Sequence, residues 1–178
     1  MPTHQYNSVF PASHSVINTI LIVHDHPIVW HGLRQFLERR NDLEIVGETS
    51  TSSEAIQLID KLQPDAAILD IILGPRKGIT LIRKIVQHDG IPVLVISSRK
   101  ETHYAERVLR AGARGYLAAD QDQPFDALLE AIHTVLNGNV YLDDKVKAKL
   151  LELVVRDRDN NNLRNDITIQ KKKLQPAN

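Results

Sequence analysis

A chain of 178 residues accommodates one domain of ordinary size with terminal extensions. Its 22 basic residues cancel its 22 acidic ones, so overall charge points neither to nucleic acid nor to an acidic membrane surface. The lack of cysteine excludes disulfides, thiolate metal sites and cysteine nucleophiles, and with a polar opening, Met1 to Ser15, and no apolar run of membrane-spanning length, the expectation is a soluble, cytoplasmic protein without membrane contact.

From Asn18 to Asn137, short apolar runs alternate with stretches of helical periodicity, the pattern of repeated βα units around a parallel sheet. The first strand is predicted over Thr19 to His24. Pro27 suits a helix start, and Ile28, Val29, Leu33, Phe36 and Leu37 recur at helical spacing. A second strand, Glu44 to Glu48, precedes a helix capped by Ser52 or Ser53 and ended by Pro64. Ala66 to Asp70 is an apolar run closed by a carboxylate, as expected of a buried central strand that surfaces at its C-terminal end.

Gly74, Pro75 and Gly78 mark a loop before a helix over Ile79 to Gln87. The fourth strand, Pro92 to Ile96, ends in Ser97 and Ser98. A helix over Glu101 to Ala111 stops at Gly112, and the fifth strand is the short Gly115 to Ala118. Pro124 opens the fifth helix, whose Phe125, Leu128, Leu129, Ile132 and Leu136 form one stripe, and Gly138 ends it. Asp143 to Val155 reads as an extra C-terminal amphipathic helix with Val146, Leu150, Leu153 and Val154 on one face. From Arg156 to Asn178 the chain is too polar to offset the entropy of ordering, which predicts a disordered tail.

In an open α/β sheet the ligand site lies beyond the carboxyl ends of the strands. The polar residues predicted there are His24 with Asp25, Asp70, and Ser97 with Ser98. Two carboxylates at one edge make an oxygen-rich site suited to Mg²⁺, and a hydroxyl completes it.

The stretches Ile20 to Pro27, Pro64 to Asp70, Pro92 to Ser97 and Ala111 to Leu117 resemble the receiver domains of NarL/FixJ-type (LuxR-type) response regulators, in the same order and spacing. The resemblance covers about Asn18 to Leu142 and implies a doubly wound, flavodoxin-like (CheY-like) five-stranded parallel sheet of order 2-1-3-4-5. It divides the chain into a flexible N-terminal segment 1–17, a receiver domain 18–138, a linker 139–156 carrying the extra helix, and the tail 157–178. It implies a phosphoacceptor at Asp70, Mg²⁺ held by Asp25, Asp70 and the backbone carbonyl of Ile72, a switch hydroxyl at Ser97 and an aromatic switch at Tyr116. The implied partner is a sensor histidine kinase or phosphotransfer protein, with a homodimer in prospect.

Two positions depart from the family pattern. His24 stands where the first of two adjacent acids is usual, and losing a partner that orients metal-bound water costs about 10 to 100-fold in metal affinity or activity. Ala119 stands where a lysine would contact the phosphoryl group. None of the residues after Gly138 resembles the opening of a helix-turn-helix, and the cluster Lys171 to Lys173 offers phosphate contact without sequence readout, so no sequence-specific nucleic-acid binding by this chain alone is expected.

Three readings follow: a phosphorylated signalling module related to transcriptional regulation, a degenerate pseudo-receiver that acts by protein interaction, or a fragment of a LuxR-type transcription factor. An enzyme acting on a small molecule is not expected, because no general acid–base pair or substrate-pocket motif is present.

Overall fold

The computed structural model describes residues 17–24, 27–70, 75–88, 90–97, 102–118 and 125–152. Among the described residues six strands and six helices follow one another: β1 (Asn18–Val23), α1 (Pro27–Leu37), β2 (Leu43–Thr49), α2 (Ser52–Leu62), β3 (Ala66–Asp70), α3 (Pro75–His88), β4 (Val93–Ser97), α4 (Thr102–Arg110), β5 (Gly115–Ala118), α5 (Phe125–Leu136), β6 (Tyr141–Leu142) and α6 (144–152). All strand pairs are parallel, in the order β2-β1-β3-β4-β5-β6. The expected doubly wound order is therefore present. The expected count of five strands is corrected to six, because Tyr141 and Leu142 pair with Gly115 and Tyr116. Two residues are too few to show a strand period in the sequence.

Parallel sheets are covered on both faces, which is why their central strands are apolar nearly throughout. Ile20 to Val23 and Ala66 to Leu69 are all buried. Alternate residues feed two cores. Leu21, Val23, Ala67, Leu69, Val93, Val95 and Tyr116 meet α2, α3 and α4, whereas Ile20, Ile22, Ile68, Leu94 and Leu117 meet α1 and α5. Burying one such Leu or Ile side chain is worth about 1.5–3 kcal/mol. Val146 of α6 belongs to the first core, with Leu142 and Leu150 packed against it. The stretch after Asn139, expected as a linker, thus contributes a strand and a core residue to the domain.

Element boundaries moved for local reasons. α3 begins at Pro75, not Ile79, because proline is well tolerated in a first turn, where its missing N–H has no helical partner. The cap of α2 is Thr51, whose Oγ1 accepts from Glu54 N–H, rather than either following serine. At its other end Gln63 takes the left-handed conformation, and Pro64 follows.

The register is pinned at the N-terminal edge. Asp65 Oδ2 accepts from Thr19 N–H at 2.7 Å and from Thr19 Oγ1 at 2.8 Å, while Asp65 N–H donates to the Thr19 carbonyl at 2.8 Å. On the β2 side the ladder shifts by one residue between Ile20 and Leu21, leaving Val46 as a bulge. In β5, a Cβ on Gly115 would lie 2.6 Å from Leu94 Cδ1 and 3.0 Å from Val135 Cγ1. Gly115 is thus what lets α5 approach the strand. We predict that Gly115→Ala lowers unfolding stability by about 1–3 kcal/mol, the usual cost of overpacking, as read by urea denaturation; an unchanged midpoint would count against the close approach.

A second long-range tie joins α5 to the turn before β2, where His133 Nε2 and Asp42 Oδ2 are 2.8 Å apart and Arg40 lies beside the same carboxylate. Partial burial pushes the Asp42 carboxyl up, but the hydrogen bond from His133, a backbone hydrogen bond, and the His133 and Arg40 charges outweigh it and hold the group below its ordinary 3.8. A carboxyl depressed on folding contributes stability that is present above its unfolded value and lost as pH falls through the folded one. We predict that Asp42→Asn flattens the decline of the urea midpoint below about pH 4; equal slopes in wild type and variant would contradict the assignment.

Candidate functional site at the carboxyl edge of the sheet

β1, β3, β4 and β5 end at one edge, and the ladder sets which residues arrive there together. Val23 pairs with Leu69, so His24 and Asp70 come next on adjacent strands. Asp70 pairs with Ile96, and Ser97 pairs with Ala118. Asp70 is half-buried as the last residue of β3, so its carboxylate lies where an apolar strand meets solvent. Ser97 is 2% exposed as the last residue of β4. Tyr116 lies one residue pair back from the edge, opposite Val95, and is 1% exposed within the core beneath α4.

Three of the residues singled out in the sequence are therefore on neighbouring strands: Asp70 and Ser97 at the edge itself and Tyr116 just behind it. Asp25, Ile72 and Ala119 lie outside the described residues, as do the segments 1–16 and 153–178. Among the described residues no cluster of three or more histidine, aspartate or glutamate side chains could hold a metal ion. Asp70 is one oxygen donor of the kind that suits Mg²⁺, and the donors expected beside it belong to the segments not described.

His24 is held through its backbone. Its N–H donates to the Thr49 carbonyl at 2.9 Å, which prolongs the β1–β2 ladder by one residue. Thr49 is itself buried, with Oγ1 donating to Glu54 Oε2 at 2.5 Å and accepting from Thr51 N–H at 3.1 Å. Sequence reading passed over Thr49, although a threonine closing a strand ahead of a capped helix is a signal for such a turn. Asp143 was also missed except as the start of a helix. It is 6% exposed, and its carboxylate accepts from Val146 N–H at 2.8 Å and from Ala118 N–H, at the end of β5, at 3.1 Å. Nearby, burial raises the Tyr141 phenol above 10.0, and the negative charges of Glu130, Asp143 and Asp144 add to the effect, so it stays protonated at neutral pH.

The profile of a family described as response regulator receiver domain matches residues 20–133. The chain belongs to the response regulator receiver domain family. Its relatives include the transcriptional regulatory protein DegU of Brevibacillus brevis, 31% identical over 75% of this chain and 56% of the relative. The oxygen regulatory protein NreC of Staphylococcus carnosus is 31% identical over 78% of this chain and 64% of the relative. The receiver chain thus spans less than two thirds of the length of these two curated relatives. A solved two-component response regulator of the LuxR family from Aurantimonas sp. SI85-9A1 superposes with a TM-score of 0.71 at 30% identity, covering 78% of this chain and 99% of that one. The isolated receiver domain of RcsB from Salmonella enterica serovar Typhimurium, with a phosphomimetic, gives 0.66 at 25% identity, covering 74% and 97%. The protein is accordingly a two-component response regulator receiver, homologous to transcriptional regulators. Among the described residues no helix is long and apolar enough to cross a membrane.

The Thr49 turn generates a prediction of its own. Thr49→Val keeps the shape but removes both side-chain hydrogen bonds, leaving Thr51 N–H and Glu54 without that partner. Stability should fall by about 1–2 kcal/mol, with raised hydrogen exchange at the Thr51 amide, and a neutral variant would show that the turn is held by packing alone.

Proposed function

We propose that this receiver accepts a phosphoryl group on Asp70 from a cytoplasmic sensor histidine kinase or phosphotransfer protein. The observation that carries the reading is the position of Asp70: a half-exposed carboxylate closing the central, otherwise buried strand, with Ser97 closing the next. A carboxylate oxygen there attacks phosphorus, the bond from phosphorus to the donor breaks, and an acyl phosphate forms on Asp70. Catalysis of such transfer is mainly a matter of positioning and charge neutralisation. Asp25, Asp70 and the Ile72 carbonyl are the donors that would hold Mg²⁺, which when bound neutralises phosphoryl oxygens. Ser97 serves as the hydroxyl that meets the phosphoryl group, and Tyr116 as the aromatic residue whose packing follows it. The module is a signalling switch, not an enzyme acting on a small molecule, and its output is a change in protein contacts, including those of a homodimer.

The test is incubation with Mg²⁺ and a small phosphodonor, followed by intact-mass measurement. Wild type should gain one phosphoryl group that hydroxylamine removes, and Asp70→Asn should gain none. The absence of an adduct with every donor tried would overturn the reading.

His24 and Ala119 favour a second reading, a receiver whose interactions have outlived its switch. His24→Asp restores a second acid, so Mg²⁺ affinity should rise about 10-fold if the metal site operates. Isothermal titration with Mg²⁺ reads this directly. A partner bound equally by wild type and Asp70→Asn would establish the second reading.

A further inference from the structure

We propose that Asp143 is the positioning residue that couples the phosphorylation edge of the sheet to α6, making that helix an output element of the domain. The inference rests on the function proposed above. Its basis is the way one buried carboxylate divides its two oxygens. Oδ2 accepts from the N–H of Ala118, the last residue of β5, and Oδ1 accepts from the N–H of Val146 in the first turn of α6. Ala118 is also the ladder partner of Ser97, so the peptide gripped by Asp143 borders the strand that ends in the switch hydroxyl.

Neighbouring contacts hold the same segment in place. Arg114 Nη1 donates to the Gly138 carbonyl at 3.1 Å, and Tyr141 N–H donates to the Arg114 carbonyl at 2.9 Å. Gly115 and Tyr116 then pair with Tyr141 and Leu142, so β6 runs along the first half of β5 and the Asp143 carboxylate reaches its last residue. Beyond Asp143, Val146 enters the core that holds Tyr116 and Tyr104. A shift of the end of β5 is therefore delivered to α6 by the Asp143 carboxylate and by the packing of Val146. Packed elements of this kind settle into alternative positions rather than deforming smoothly. A helix cap alone does not need a second acceptor aimed at another strand.

Substitution separates the two roles. Asparagine caps helices as well as aspartate does, but it has a single acceptor oxygen, so Asp143→Asn keeps the bond to Val146 and puts an amide nitrogen towards Ala118 N–H. Asp143→Ala removes both bonds. Asp143→Ser, a shorter cap, replaces the asparagine variant if that variant does not fold.

The experiment is residue-resolved hydrogen exchange on the full chain, with and without Mg²⁺ and beryllofluoride. In wild type, exchange should change both at the ends of β4 and β5 and along residues 146–152. In Asp143→Asn, the Ala118 amide should exchange about ten-fold faster without ligand, the equivalent of one lost hydrogen bond. α6 should stay helical there, and the β4 and β5 ends should still respond while 146–152 fall silent. In Asp143→Ala the helix itself should fray. An α6 response that persists in Asp143→Asn, or an unchanged Ala118 amide, would overturn the coupling. A wild-type response confined to the β4 and β5 ends would also overturn it while leaving the proposed function intact. No wild-type response anywhere would overturn both.

Discussion

Parallel pairing on either side of β3 determines what this domain can do. With Val23 opposite Leu69 and Ile96 opposite Asp70, strands from distant parts of the chain release their first polar residues at the same edge. A slip of one residue would turn every side chain of a strand to the opposite core and carry Asp70 off the rim. The reciprocal bonds between Thr19 and Asp65 at the far edge hold this alignment, so stability and site geometry share one cause.

Buried parallel strands must be apolar until they surface, and this made much of the fold legible from residue types. The runs ending at Asp70 and at Ser97 announce both a strand and its exit point. Helical stripes such as Leu128, Leu129 and Ile132 likewise declare their inward face, and all three are buried. These runs, in their order and spacing, carry the family resemblance, and the strand order is what that resemblance implies.

What escaped sequence reading was set by contacts between distant residues or by elements too small to carry a period. The bond from Asp143 to Ala118 spans 25 residues and that from His133 to Asp42 spans 91, and neither leaves a local pattern. β6 is two residues long. Ser52 and Ser53 are the better caps by residue type, and backbone geometry selects Thr51 instead. Pro75 reads as a loop residue in the sequence because proline both breaks helices and starts them.

The brevity of β6 has a consequence for the behaviour of the protein in concentrated solution. Without it, the flank of β5 would offer unpaired backbone groups beside Gly115 and Tyr116, a template on which foreign strands can grow. A two-residue cover occupies that flank yet is too short to act as a template in its turn. On the opposite margin, β2 carries exposed Glu44 and a Glu48 ion-paired with Arg34, charged side chains of the kind that disfavour strand addition. Shortness at one margin and charged side chains at the other are the two devices by which this sheet discourages the strand addition from which fibrils grow.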